Sequence, residues 1–283
     1  MRTSALRWLL IGASVCAAGV PVDAGNLPQE FTNTYESAVA QIRGVYDYVT
    51  VRGTVAREFP QRRESISQEY TLRNSGDKSR LDIKTTSTYK GGLNVGTVEV
   101  YLATPEASFY GIGDNGTPAI DTSRELTYAE AKLRIDRSFP VEQPYAMASG
   151  VTLLEMLQQP QVSIGELKKL THRGQQFVKI IYDRPLSSGE NTDDRLSYVL
   201  LSPSEGWAVR EYSRSTGRGV NMKTSKGKIS YSGSYKGVPF VQRIETWEYE
   251  GADRACTLHE IVNISKFEPG DPNMIFFGAD GFK

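Results

Sequence analysis

The 283-residue chain has two cysteines and two histidines. That scarcity excludes a disulfide framework and the metal centres built from several cysteine or histidine ligands. Net charge is missing too: 33 Lys and Arg stand against 33 Asp and Glu. A chain without charge excess sets up no long-range field toward nucleic acid, so no nucleic-acid partner is expected. Nowhere does an apolar run reach the length of a membrane-spanning helix, about 20 residues.

The usual catalytic strings fail one by one. His259-Glu260 opens the zinc-protease pattern, but Asn263 stands where the second histidine belongs. Gly111-Ile112-Gly113-Asp114-Asn115-Gly116 matches the dinucleotide fingerprint in letters only. Thr117-Pro118 follows where a helix must begin, so the string reads as a glycine-rich loop after a strand. Gly233-Ser234-Tyr235-Lys236-Gly237 carries its serine one position early for a nucleophile elbow. Cys256 and His259 lie three apart on a strand and so face opposite sides. His172 sits in a turn, and Glu190 with Asp193-Asp194 lacks the ligand spacing of a calcium loop. Paired carboxylates far apart in sequence stay open. The expectation is a protein that is not an enzyme and needs no cofactor or metal.

What is present begins at the N-terminus. Arg2 and Arg7 precede an uncharged run from Trp8 to Val20, and Val22-Asp23-Ala24 offers a small-x-small cleavage site before Gly25. Residues 1–24 therefore read as a cleavable secretory signal, with the mature protein periplasmic or extracellular. Cys16 raises lipid anchoring as the alternative, but Val15 and Ala13 fit a lipoprotein site poorly. Cleavage leaves residues 25–283 as one domain with 31 basic and 32 acidic side chains and Cys256 alone.

Three helices are expected. Phe31, Tyr35, Val39 and Ile42 form one apolar stripe after Pro28, ending at Gly44. Arg124 to Arg137 is the second, capped by Thr122 or Ser123, with Leu126, Ala129, Leu133 and Ile135 on its apolar face. Ser149 to Gln158 is the third, stopped before Pro160. Most of the rest alternates with period two. Ile66-Gln68-Tyr70-Leu72 and Leu81-Ile83-Thr85 flank an Asn74-Ser75-Gly76-Asp77 turn, and Val98-Val100-Leu102 follow. Further strands are expected at 109–112, 167–171, 177–182, 196–201, 207–212, 229–231, 240–249 and 257–264. Short turns at His172-Arg173-Gly174-Gln175 and Tyr235-Lys236-Gly237 make their flanking strands antiparallel. Helices do not alternate with strands, so the class is α+β and mainly antiparallel. Segments 187–194 and 217–228 are polar and expected as loops.

One run of residues has a familiar order. Leu196-Ser197-Tyr198-Val199-Leu200-Leu201-Ser202-Pro203 precedes Gly206-Trp207-Ala208-Val209-Arg210-Glu211-Tyr212. Gly237-Val238-Pro239-Phe240 then opens a long strand, and the chain closes on Val262 to Pro269 and Met274-Ile275-Phe276-Phe277. This order resembles the LolA-like superfamily of exported bacterial proteins, which includes lipoprotein carriers and RseB-type sensors. The resemblance implies a strongly curved, incomplete β-barrel, here of about 10–12 strands, with a few helices on its concave face. It implies an apolar cavity that accepts a lipid or the acyl chains of a lipoprotein. The alternative is a module for another envelope protein on the same scaffold. Inward-pointing candidates for such a cavity are Leu81, Ile83, Val98, Val100, Leu102, Leu154, Trp207 and Val209.

Overall fold

The structure is a computed structural model that describes residues 29–88, 94–114, 125–138, 146–148, 151–158, 162–183, 197–216, 221–251 and 254–277. The expected signal segment, its Cys16 and the loop 187–194 lie outside the described residues.

Helix α1, Gln29–Tyr46, leads into β1, Tyr48–Phe59. Antiparallel strands β2 (Glu64–Ser75), β3 (Lys78–Thr88), β4 (Asn94–Ala103) and β5 (Ser108–Asp114) follow. Next come α2 (Tyr128–Ser138), a small ribbon of β6 (Ala146–Ala148) and β7 (Val151–Thr152), and α3 (Leu153–Leu157). The second half is β8 (Ser163–His172), β9 (Gln175–Asp183), β10 (Ser197–Ser202), β11 (Ala208–Thr216), β12 (Lys223–Tyr235), β13 (Val238–Glu250) and β14 (Ala255–Pro269). A 3₁₀ turn, Met274–Phe277, ends the described chain.

Twelve of the strands form one unclosed sheet in the order β5-β4-β3-β2-β1-β14-β13-β12-β11-β10-β9-β8. Every pair in it is antiparallel. The expected α+β class and antiparallel sheet are therefore present. Its centre joins the two ends of the chain, since Val49 of β1 pairs with Pro269 of β14. Hairpin chemistry sets several registers. Arg173 and Gly174, and Lys236 and Gly237, all have positive φ, the geometry of two-residue turns whose twist matches the strands.

The helices depart from expectation in instructive ways. Gly44 does not end α1, which continues to Tyr46 because Val45 and Tyr46 extend the buried stripe. Burial of two large side chains outweighs the roughly 1 kcal/mol that an internal glycine costs. α2 starts later than expected. Its cap is a Thr127–Glu130 box: the Thr127 backbone N–H and hydroxyl donate to Glu130 Oε2 at 2.9 and 2.7 Å. The inward side chains are Ala131 and Ile135, while Ala129 and Leu133 are exposed. α3 is only five residues long, because β-branched Val151 and Thr152 pair as a ribbon with β6.

Segment 217–228 was expected as a loop, yet β12 begins at Lys223. Cross-strand partners supply what its composition lacks. Lys223 pairs with Glu250 at 2.8 Å, and Lys226 lies over the Tyr249 ring at 5.7 Å.

A groove and a helix-covered face

Residues directly opposite each other in a sheet project from the same face. Reading across the registers, Tyr110, Tyr101, Leu81, Leu72, Val51 and Phe267 form one row of a single face. Val262, Ile244, Ile229, Val199 and Ile180 continue that face toward β8. α1 packs on it with Phe31, Tyr35, Val39, Ile42, Val45 and Tyr46, and α3 adds Leu153, Leu154, Met156 and Leu157. This is the helix-covered face, and it holds the main core.

The eight cavity candidates do not share it. Leu81, Ile83, Leu154 and Val209 are buried there, and Trp207 packs against it half-buried. Val98, Val100 and Leu102 sit opposite Lys84, Asp82 and Arg80, on the outer face. Alternation alone marked the apolar parity of β4 as inward, but here Glu99, Tyr101 and Ala103 face the helices. A one-residue difference in register exchanges the two faces.

Two glycines shape the sheet. A Cβ on Gly53 would collide with the Asn263 carbonyl and the Tyr70 ring, and one on Gly227 with the Tyr212 ring. In both cases the tyrosine sits directly across the strand pair and lies over the bare backbone. Beside Gly53 the β1–β14 register also shifts, so β1 bends there.

The helix-covered face turns polar toward one end. Arg57 Nε donates to Glu260 Oε2 at 2.5 Å and Arg57 Nη1 to Gln68 Oε1 at 2.7 Å. Gln68 Nε2 then donates to Thr85 Oγ1 at 3.1 Å. Tyr101 and Tyr110 hydroxyls both donate to Glu99 Oε2, at 2.8 and 3.3 Å. Burial, with the bond to Glu99, pushes the Tyr101 phenol up. Nothing in the sequence signals that these residues meet, since each is an ordinary strand residue until its neighbours are known.

The outer face carries a groove of about 500 Å³ between β14 and β4. Arg52, Thr54, Glu69, Thr71, Lys84 and Val98 line it, with Asp82 at one end. Asp82 is occupied: Arg73 Nη1 reaches Oδ2 at 2.5 Å, and Arg80 reaches Oδ1 through Nε at 2.9 Å and Nη2 at 2.7 Å. The C-terminal turn settles on these arginines, with Phe276 over Arg73 at 4.3 Å and its carbonyl accepting from Arg80 Nη1 at 2.9 Å.

Further along the outer face, His259 stacks on Trp247 at 5.4 Å, and its Nε2 lies 3.0 Å from Glu245 Oε1. Burial raises the Glu245 carboxyl, but bonds from His259 and Arg243 outweigh it and hold the group below its usual range. Cys256 is half-buried, with Sγ 3.6 Å from the Leu258 carbonyl. His172, expected in the turn, is instead the exposed last residue of β8. Among the described residues no group of three metal-ligating side chains converges.

No family model matches the chain, and no curated protein matches it. Among solved structures it is similar to a DUF1329 family protein from Desulfovibrio piger, at 10% identity and TM-score 0.41. That match covers 89% of this chain and 98% of the other. A putative outer membrane lipoprotein-sorting protein domain from Vibrio parahaemolyticus matches at 10% identity and TM-score 0.41, covering 88% and 99%. MucB in complex with MucA matches at 11% identity and TM-score 0.17, covering 86% and 99%. At these TM-scores the likeness carries no functional argument.

Proposed function

We propose that this is an exported binding protein whose helix-covered face takes up the apolar chain of a lipid or an acylated lipoprotein. The supporting observation is how α1 is held. Its contact with the sheet is a stripe of six buried apolar and aromatic side chains. The charged side chains described on it, Glu36 and Arg43, are exposed and form no ion pair with another described residue. A side-chain hydrogen bond from the strand half fastens its last turn, where Asn74 Nδ2 donates to the Tyr46 carbonyl at 3.0 Å. Gln41 adds one bond to the Lys236 carbonyl. An acyl chain offers the sheet the same kind of surface that α1 offers. Exchanging one for the other therefore leaves few buried polar groups unpaired.

The test is extraction of the full chain from its native envelope followed by native mass spectrometry. A bound species carrying fatty-acyl chains is expected. Protein free of acyl mass, which also fails to take up a fluorescent fatty acid, overturns the reading.

The sheet edge favours a second reading. Among the described residues β8 pairs only with β9, which leaves one side of a ten-residue strand for a partner polypeptide. Lys168, Lys169 and the irregularity between Ile164 and Glu166 discourage indiscriminate pairing there. A stable protein partner in a pull-down, lost when Lys168 is replaced by proline, supports this reading. Capture that ignores the substitution overturns it.

A further inference from the structure

Neither reading uses the groove on the outer face. We propose that it binds a phosphate–ammonium zwitterion of the phosphoethanolamine type, the anion on Arg52 and Lys84 and the ammonium on Glu69. Its volume, about 500 Å³, falls in the range of small-molecule sites. Gly53, beside the β1–β14 register shift, is among the residues that line it.

The charges are arranged for a dipolar guest. Glu69 lies directly across from Lys84 on one side and Thr54 on the other. Arg52 is two residues from Thr54 along β1, on the same face and opposite Thr71. Neighbouring strands are about 5 Å apart, so both cations and the carboxylate are within reach of one small molecule. The side chains of Arg52, Lys84 and Glu69 form no ion pair or hydrogen bond with another described residue. The Thr54 and Thr71 hydroxyls are equally uncommitted.

Charge balance selects the guest. Asp82 is taken up by Arg73 and Arg80, so it adds no acceptor to the groove, and the second arginine leaves positive charge at that end. A bare phosphate would satisfy Arg52 and Lys84 but sit against Glu69. A bare amine would meet only Glu69. A phosphate ester that also carries an ammonium group satisfies all three, with threonine hydroxyls as further donors.

Calorimetry on the purified full chain tests this with O-phosphoethanolamine, inorganic phosphate and ethanolamine, and sedimentation tests it with vesicles. O-phosphoethanolamine should bind at least about ten-fold more tightly than either fragment. Arg52→Gln combined with Lys84→Gln should weaken it by at least about ten-fold. Glu69→Gln should abolish the preference over inorganic phosphate, and Lys84→Arg should retain binding. Binding to the soluble ester assigns a soluble source. Binding only to phosphatidylethanolamine vesicles, and not to phosphatidylcholine vesicles, assigns a lipid headgroup. The proposal is overturned if neither binds, if inorganic phosphate binds as well as the ester, or if the double variant binds undiminished with unchanged thermal stability.

Discussion

Single positions show how far a residue's meaning depends on its surroundings. Gly44 lies inside α1, and a Cβ there meets nothing within 4 Å. Gly44→Ala should therefore stabilise the protein by about 0.5–1 kcal/mol, read as a rise in thermal midpoint of about 2 °C. Gly53 is the opposite case. Gly53→Ala drives a methyl into the Tyr70 ring and the Asn263 carbonyl. A loss of about 1–3 kcal/mol is expected in urea titration. Trp207 sits at φ 63°, a backbone region that bulky side chains rarely adopt, and its ring meets Phe31 edge-on at 4.9 Å. Phe31 in turn stacks on Tyr35 at 5.5 Å. The turn is held in place by that packing. Trp207→Ala should cost roughly 2–3 kcal/mol, less than a fully buried ring. Amide exchange should show the loss first in the opening turn of α1. No exchange difference there would mean that Trp207 does not hold the helix.

At the scale of elements, short-range chemistry explains the ends and long-range pairing explains the middles. The start of α2 rests on the Thr127–Glu130 box. The bonds from Thr127 hold the exposed Glu130 carboxyl below its usual range. A depressed carboxylate contributes stability above its unfolded pKa and loses it as pH falls through the folded value. Protection of the first α2 amides should therefore be full at neutral pH and decline only under acid conditions. Glu130→Gln should make it independent of pH in that window, as hydrogen exchange by NMR can show. β12 illustrates the other half of the rule. Its lysines and serines read as a loop in isolation, but Glu250 and Tyr249 on β13 give them partners. No window of local sequence contains that information.

The whole molecule is held at its centre by strands more than 200 residues apart in the chain, as the pairing of Val49 with Pro269 shows. Each half of the sheet has hairpin neighbours to direct it, but β1 and β13 each lose a partner if β14 is absent. A chain ending at Arg254 should fail to give a cooperative unfolding transition and should aggregate through the two unpaired strands. A sharp transition in that truncation would show that the halves fold independently.

Much of this was legible beforehand, because period-two alternation, turn residues and the α1 stripe are local signals. Leu81, Ile83 and Tyr35 were placed by them. Apart from the first half of β12 and the small β6–β7 ribbon, strand existence, antiparallel pairing and the α+β class follow from the amino-acid order alone. The face on which a strand's apolar residues lie does not. Val98, Val100 and Leu102 alternate as well as Leu81 and Ile83 do, yet they project from the opposite side. That choice depends on register, and register is an energy difference between whole pairings in which one step moves every side chain across the sheet. The outer groove is decided at the same level. Arg52, Glu69 and Lys84 are unremarkable charges along three strands until the β1–β2–β3 alignment places them side by side around one hollow.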